Sequence, residues 1–197
     1  MANLVLTCFR SCFENSGFHT TQVSEKDHNP ICLDNNYMGH EVVIIKDGIR
    51  ACGSGGVLGN APLVQSKSYF EVKLQQSGIW GVGLATRNAN LKVTPGGNDP
   101  ESWVFCYDGV LRHNKKELQG VTKRATEGDV IGVSFDHIEL NFYINGVCLE
   151  APITGIRGTV YPVIFVDDGA IMDIILDNFI YSPPSGFQKI MIEQSLL

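Results

Sequence analysis

Three groups of residues in the chain have types suited to chemistry: cysteines near its start, a glycine-rich run and a scattered set of carboxylates. Cys8, Cys12, His28 and Cys32 carry the donor atoms that a tetrahedral zinc ion takes. Their spacings, Cys-x-x-x-Cys and His-x-x-x-Cys, lack the two-residue gap that is typical of zinc knuckles. The sequence therefore predicts no metal site.

The two cysteines nearest the amino terminus favour a different chemistry, the attachment of fatty acids. Cys8 and Cys12 lie in an apolar stretch that has one cation, Arg10, and no acidic residue before Glu14. Stable anchoring at a membrane surface requires two acyl chains, whereas N-myristoylation needs glycine at position 2, where this chain has alanine. The sequence thus predicts lipidation and membrane-surface contact, or else a tail whose Leu and Phe side chains cover the folded domain.

A glycine-rich run, Gly53-Ser-Gly-Gly-Val-Leu-Gly59, has the composition of a phosphate-binding loop without its pattern. The motif Gly-x-Gly-x-x-Gly needs glycine at position 58, where Leu58 stands, and no Lys-Ser or Lys-Thr pair follows. No helix is predicted after the run, so a phosphate would lack the N–H groups and dipole of a helix amino terminus. We expect a flexible loop here and no cofactor.

Five carboxylates are candidates for acid–base chemistry: Asp136, Glu139, Asp167, Asp168 and Asp173. Glycosidases place two carboxylates about 5–10 Å apart across a sugar, yet these five form no local alternating pattern on one strand. The sequence has no Gly-x-Ser-x-Gly nucleophile elbow, and nothing marks a Cys/His pair as activated. It therefore indicates a protein that is not an enzyme, with a glycoside hydrolase as the least favoured alternative.

Composition excludes several classes of function. The 197 residues include 15 Lys and Arg against 21 Asp and Glu, without the basic cluster that nucleic-acid binding requires. The longest apolar runs are strand-sized, far short of the about 20 residues that span a bilayer. Six cysteines and no signal sequence indicate reduced, mostly buried thiols in a cytoplasmic protein. The length predicts one domain, and we expect a monomer.

Short apolar or alternating runs recur along the chain from Ile31 onward, separated by Asp-Gly and Asn-Gly turns. They predict strands at 41–46, 68–75, 79–85, 102–107, 129–135, 138–144, 160–166 and 170–176. No twelve-residue stretch has a helical period. The fold class is therefore all-β, a two-sheet antiparallel β-sandwich over residues 31–185. Residues 1–30 are a tail or strap, and residues 186–197 are a carboxy-terminal extension.

Four segments form a specific pattern in their order and spacing. They are Ser68-Tyr-Phe-Glu-Val-Lys with Gly78-Ile-Trp-Gly-Val-Gly-Leu-Ala-Thr, Tyr107-Asp-Gly-Val-Leu-Arg-His-Asn, Gly128-Asp-Val-Ile-Gly-Val-Ser-Phe-Asp with Leu140-Asn-Phe-Tyr-Ile-Asn-Gly-Val, and Tyr161-Pro-Val-Ile. Over about residues 40–180 the chain resembles the SPRY domain family. The resemblance implies a distorted sandwich of the concanavalin A-like jelly-roll type, which binds partners with loops at one end. Large aromatics are suited to fill an inter-sheet layer about 10 Å thick, and we assign that role to Tyr69, Phe70, Trp80, Phe142 and Tyr143.

The resemblance also implies a binding site, because peptide-binding relatives line a groove from four loops. The corresponding positions here are Gly53, Ser54 and Gly55, then Gly78, then Lys92 and Val93 in the loop 87–100, and finally Asp167 and Asp168. Relatives that bind acidic, Asn-rich peptides have an arginine and bulky aromatics at several of these positions, where this chain has glycines and two aspartates. Such an acidic rim favours a basic or hydrogen-bond-donating protein or peptide, although Asp-Asp-Gly is also ordinary turn chemistry.

The sequence therefore predicts an interaction module or adaptor, with a lectin-like carbohydrate-binding module as the alternative. A lectin site needs an aromatic platform beside hydrogen-bonding side chains. Trp103 and Tyr107 with Asp108 and Asn114 form a cluster of that composition, although Trp103 fits a buried strand position equally well.

Overall fold

A computed structural model describes residues 30–192, which form fifteen β-strands and, over that range, no helix. All eight predicted strand regions coincide with strands, which confirms the all-β fold class. The strands are Leu33–Met38 (β1), Glu41–Ile45 (β2), Arg50–Gly59 (β3), Ser68–Gln76 (β4), Ile79–Ala85 (β5), Ser102–Cys106 (β6), Val110–His113 (β7), Lys116–Gly120 (β8), Val130–Phe135 (β9), Glu139–Ile144 (β10), Val147–Cys148 (β11), Ile153–Thr154 (β12), Tyr161–Asp167 (β13), Ile171–Ile175 (β14) and Gln188–Lys189 (β15).

The strands form two layers that share one long strand, β3. The first half of β3 pairs with β2 and β14 in sheet B, and its second half pairs with β1 and β13 in sheet A. Sheet A continues from β13 through β5, β6 and β7 to β8, and sheet B continues from β14 through β4, β9 and β10 to β11. These pairs are antiparallel, whereas β15 runs parallel to β4.

The glycine-rich run is therefore a strand and not the predicted flexible loop, because residues 50–59 belong to β3. The change of sheet occurs at Gly53 and Gly55, whose φ angles are +96° and +128°. A side chain at Gly55 would also stand 2.9 Å from the Leu91 carbonyl oxygen. Glycine permits this strongly bent strand because it adopts positive φ without steric cost.

Aromatic side chains fill the space between the sheets. Trp80 and Phe105 of sheet A meet edge to face at 5.6 Å between ring centroids, and Phe105 lies 5.8 Å from Phe142 of sheet B. Phe70, Trp80 and Phe142 are all buried in this core, as the sequence predicts. At about 25 cal/mol per Å² of apolar area removed from water, such side chains supply much of the stability of the sandwich.

Tyr69 and Tyr143 are exceptions to the predicted inter-sheet layer. Side chains of a strand alternate between its two faces, so Tyr69 points away from its neighbour Phe70 and lies on the outer face of sheet B. There it contacts Tyr143 and Phe179, with ring centroids 6.3 Å and 4.9 Å away. The segment after β14 crosses this face and buries it, although both tyrosines were expected between the sheets.

A buried carboxylate fixes that crossing segment. Glu71 is fully buried on the same face and accepts hydrogen bonds from the Tyr69 hydroxyl (3.0 Å) and from the backbone N–H groups of Ile180 (2.7 Å) and Tyr181 (2.9 Å). A buried carboxylate needs such partners, since its charge is otherwise costly to remove from water. The carboxy-terminal residues continue to β15 and to Ile190, which is buried in the core.

The outer face of sheet A is covered by the long loop 86–101 between β5 and β6. Leu91 of this loop packs in a second apolar cluster with Val163 and Phe165 of β13 and with Val104 of β6. The loop backbone is tied to β3, because the Gly56 N–H donates to the Leu91 carbonyl at 2.7 Å. The antiparallel strands β13 and β5 therefore run along this face, and the loop 86–101 covers it.

Candidate functional site

The predicted site residues collect at the end of sheet A where β13 finishes. Asp167 is opposite Ile79 in the β13–β5 pair, and Val166 is opposite Gly55 in the β13–β3 pair. This register brings the turn after β13, the start of β5 and the bend in β3 to one edge. Gly78, Asp167 and Asp168 contact one another there, and Gly55 lies beside them.

Asp167 holds this edge together. Its Oδ2 accepts a hydrogen bond from the Thr94 hydroxyl at 2.6 Å, and its Oδ1 accepts one from the Asp168 N–H at 2.9 Å. The Thr94 hydroxyl and then the Asp168 amide lower the pKa of Asp167 below its ordinary value, against a smaller opposing effect of burial, and the Ser54 hydroxyl acts in the same direction. Asp167 is therefore an anion at neutral pH that joins the turn to the long loop.

The residues at this edge differ in how far their side chains are exposed to solvent. Asp168, Lys92 and Val93 are exposed, and Val93 leaves 41% of its surface open to solvent. Asp167 and Ser54 are partly buried, and Gly55 is buried. We conclude that Asp168, Lys92 and Val93 can contact a partner, whereas Asp167 positions the segments that carry them.

Gly78 is placed where β5 enters the sheet under the turn 167–169. A side chain there would lie 2.5 Å from both the Asp168 carbonyl oxygen and the Ala170 nitrogen. Gly78 therefore allows the start of β5 to pack closely against the turn 167–169, and it offers no side chain to a partner. Gly53 faces β2, where a side chain would stand 2.2 Å from the Glu41 carbonyl oxygen.

Gly53, Ser54 and Gly55 also correct the expected loop, since all three lie in β3. Sequence reasoning missed Thr94 and Leu91, which hold the long loop against β13 and β3. Thr94 precedes Pro95, a pattern that indicates a turn, but nothing local indicates that its hydroxyl reaches a carboxylate 73 residues away.

The residues of the lectin alternative do not form an aromatic platform. Trp103 is 6% exposed and stacks on His113 with ring centroids 4.7 Å apart. Asp108 is bound through both carboxylate oxygens by Arg112. The Arg112 hydrogen bond outweighs burial and lowers the pKa of Asp108. Tyr107 is therefore the exposed aromatic of this group, at 39%.

Three of the carboxylates weighed for hydrolysis, Asp136, Asp167 and Asp173, accept hydrogen bonds that stabilise the fold. Asp173 is buried in sheet B and accepts hydrogen bonds from Arg50, Lys46 and Gln75. Burial raises the pKa of Asp173, but hydrogen bonds from Arg50 and Lys46 outweigh it, so the pKa lies below its ordinary value. Asp136 accepts hydrogen bonds from the backbone N–H groups of the turn before β10.

The amino-terminal predictions, including lipidation of Cys8 and Cys12 and the tail 1–30, fall almost wholly outside the described residues. Within 30–192 no three His, Cys, Asp or Glu side chains cluster as metal ligands. No helix in that range is long and apolar enough to cross a membrane. Of the four free thiols there, Cys106 is buried, Cys32 and Cys52 are partly buried and Cys148 is exposed, so burial is less complete in this range than the sequence predicts. Burial raises the pKa of Cys106 to about 12.

Comparison with known proteins agrees with this architecture. The family model of the SPRY domain matches residues 67–179. The chain belongs to the SPRY domain family. It is 47% identical to SPRY domain-containing protein 7 of Homo sapiens over 198 residues, which cover 100% of both chains. It is 32% identical to SPRY domain-containing SOCS box protein 3 of Xenopus tropicalis over 119 residues, covering 54% of this chain and 32% of that protein.

A solved structure shows the same fold. The SPRY domain of human HERC1 superposes with a TM-score of 0.57 at 16% identity, covering 73% of this chain and 96% of that one. SPRY domains are commonly protein-interaction modules, which is the class of function that the family supports for this chain.

Proposed function

We propose that this SPRY domain is a non-enzymatic adaptor, which acts as a monomer in the cytoplasm and recognises a peptide or loop of another protein. The recognition surface is the end of sheet A that carries Asp168, Lys92 and Val93, with Ser54, Gly55, Gly78 and Asp167 as its frame. The two hydrogen bonds by which the Asp167 carboxylate ties the long loop to the turn after β13 carry the proposal. Loops that are already ordered by such bonds lose little entropy on binding.

The charge of this surface indicates the chemistry of its partner. Two aspartates stand against one lysine, and Asp167 is held ionised by its hydrogen bonds. A basic peptide with an apolar side chain fits this arrangement, because Asp168 attracts the cation and Val93 offers 41% of its surface for apolar contact. Free thiols in the described chain are compatible with the reducing cytoplasm.

The experiment compares proteins retained from cytosol by the full chain and by variants that keep the fold. Asp168→Asn removes the exposed charge while Asn still tolerates the positive φ of +47° at this position. Asp47→Asn is the matched control, because Asp47 is also an exposed aspartate at positive φ (+56°) before a glycine, in the β2–β3 turn. Val93→Ser tests the apolar contact.

We expect basic partners to be retained by the wild type and by Asp47→Asn, and to be lost or reduced with Asp168→Asn. Identical partner sets for all four proteins would exclude this end of sheet A as the recognition surface. A glycan array with the same proteins and with Tyr107→Ala addresses the carbohydrate alternative. Glycan binding that survives Asp168→Asn but not Tyr107→Ala would replace the proposal.

A further inference from the structure

A recess lies at the end of β5 and β13 opposite the proposed recognition surface. β5 ends at Ala85 and β13 begins at Tyr161, and these two residues are paired. The recess beside them encloses about 340 Å³ and is lined by residues of the long loop and of the loop before β13, including Arg87 and Arg157. This volume is at the lower end of the range for ligand pockets.

Arg87 is held in place by two aromatic rings. Its guanidinium carbon lies 4.3 Å from the centroid of Tyr37 and 4.9 Å from that of Tyr161, and its Nη1 donates to the Tyr37 hydroxyl at 3.2 Å. A guanidinium has five N–H donors, so the hydrogen bond to Tyr37 leaves others for a ligand. Arg87 is therefore oriented before any ligand arrives.

Arg157 is presented by a loop that is fixed on both sides. Ile156 and Val160 are buried in the main core, and the Val160 carbonyl accepts a hydrogen bond from the Leu63 N–H at 2.9 Å. Arg157 itself is exposed, and within residues 30–192 neither it nor Arg87 forms an ion pair. Among those residues Arg157 also makes no hydrogen bond.

The charges lining the recess select the ligand. Two guanidinium groups stand against one carboxylate, Glu101, whose Oε2 already accepts the hydroxyl hydrogen of Thr86. The lining has one positive charge in excess, which a singly charged carboxylate balances, whereas a phosphate dianion would leave a negative charge uncompensated. A carboxylate also accepts two parallel N–H bonds from one guanidinium.

We propose that this recess is a second binding site, which takes a carboxylate of an acidic peptide between Arg87 and Arg157. The site lies at the other end of sheet A from the proposed recognition surface and prefers the opposite charge. The carboxylate comes either from an Asp or Glu side chain or from a free chain terminus, since both present the same group.

The test is an NMR titration of the full chain with three short probes. The first is acetyl-Gly-Gly-Asp-Gly-amide, the second is acetyl-Gly-Gly-Gly-Gly with a free carboxyl end, and the third is acetyl-Gly-Gly-Asn-Gly-amide, which has no carboxylate. Inorganic phosphate is titrated separately. We expect at least one carboxylate probe to shift the backbone amide signals of Asn88, Gly158 and Thr159 saturably, and the first two probes distinguish the two sources.

Three variants tie the shifts to the recess. Arg157→Gln should weaken binding about tenfold or more, the loss expected for a charge-assisted hydrogen-bond pair, and it removes no contact that supports the fold. Arg157→Lys keeps the positive charge but loses the paired N–H donors of the guanidinium, so its affinity should lie between those of the wild type and Arg157→Gln. Arg124→Gln is the control, because Arg124 is also an exposed arginine but does not line the recess. It lies beside Gly109 of the β6–β7 turn.

Three results would overturn the proposal. Equal shifts with the Asn probe, or affinity unchanged by Arg157→Gln, would show that no carboxylate is bound by these arginines. Shifts with inorganic phosphate alone would show that the recess takes a different anion. Failure of Asp168→Asn to change partner capture would leave these outcomes unaffected, because the two sites share no residue.

Discussion

The two ends of strands β5 and β13 carry charges in different ways. At one end Asp167 uses its carboxylate oxygens to bind Thr94 and the Asp168 amide, so its charge organises the protein. At the other end the Arg87 guanidinium packs against two tyrosine rings and donates one hydrogen bond to Tyr37, so its other N–H groups remain available. In a positioning residue the hydrogen-bonding atoms of the charged group are engaged by the protein itself. In a binding residue some of these atoms remain free for a ligand.

The two ends are also joined physically. They are six residue steps apart on β13, about 20 Å at 3.3 Å per residue, and Tyr161 and Asp167 point to the same face because strand side chains alternate. The loop 86–101 contributes Arg87 to one end and Lys92, Val93 and Thr94 to the other. A partner at either end therefore contacts the same loop.

The largest effect is expected from Trp80→Ala, which removes a core side chain that is 2% exposed and lies opposite Val166. It should lower the free energy of unfolding by about 3–5 kcal/mol, as large-to-small core changes do. Chemical denaturation measures this loss, and Tyr107→Ala, at a position 39% exposed, is the control with a loss below about 1 kcal/mol.

The same denaturation curves test whether the ends share one core. Probes at both ends should report a single transition in Trp80→Ala and in the wild type. Two separate transitions would show that the two ends belong to units that unfold independently and do not share one core.

Gly78→Ala should act at the acidic end alone. The new methyl group would lie 2.5 Å from backbone atoms of Asp168 and Ala170, which must shift, at a cost of about 1–3 kcal/mol. Gly120→Ala is the control, since nothing lies within 4 Å of a side chain there. NMR shift changes should concentrate at residues 166–170, and equal changes at Arg87 would indicate that the two ends move together.

Thr94→Val removes the donor that lowers the pKa of Asp167 and should cost about 1 kcal/mol. Because the folded pKa is lowered, this stabilisation is present above the unfolded value of about 3.9 and is lost as the pH falls below it. In the variant the Asp167 pKa should rise toward the ordinary value, as followed by carboxyl NMR. A titration identical to wild type would exclude Thr94 as the cause of the lowered Asp167 pKa. Thr122→Val, at an exposed position, is the control and should leave this pKa unchanged.

Tyr37→Phe is expected to have the smallest effect. It deletes the hydroxyl that accepts from Arg87 but keeps the ring, so stability should change by about 0.5 kcal/mol or less. Binding of the carboxylate probes should persist in Tyr37→Phe and weaken in Tyr37→Ser, which removes the stacking ring. Equal affinity in both variants would show that ring stacking does not orient Arg87.

The strands were predictable where apolar and polar residues alternate, as in Glu139–Ile144, whose inward residues Leu140, Phe142 and Ile144 are buried. β3 was not predictable, because Gly53-Ser-Gly-Gly has the composition of a turn and its strand geometry depends on Leu91 and on the neighbouring strands. The acidic turn followed from local chemistry and from the family resemblance. The Asp167–Thr94 and Arg87–Tyr37 contacts join residues 73 and 50 positions apart, a separation that local patterns do not encode.

The bonds of Glu71 show how far toward the carboxy terminus the fold draws on the chain. The segment matched by the family model ends at residue 179, one position before the backbone N–H groups of Ile180 and Tyr181 that the buried carboxylate requires. A chain shortened to the matched segment would leave that charge without two of its partners and would uncover Tyr69. We infer that the folded unit extends beyond the carboxy-terminal end of the family match, at least through Tyr181.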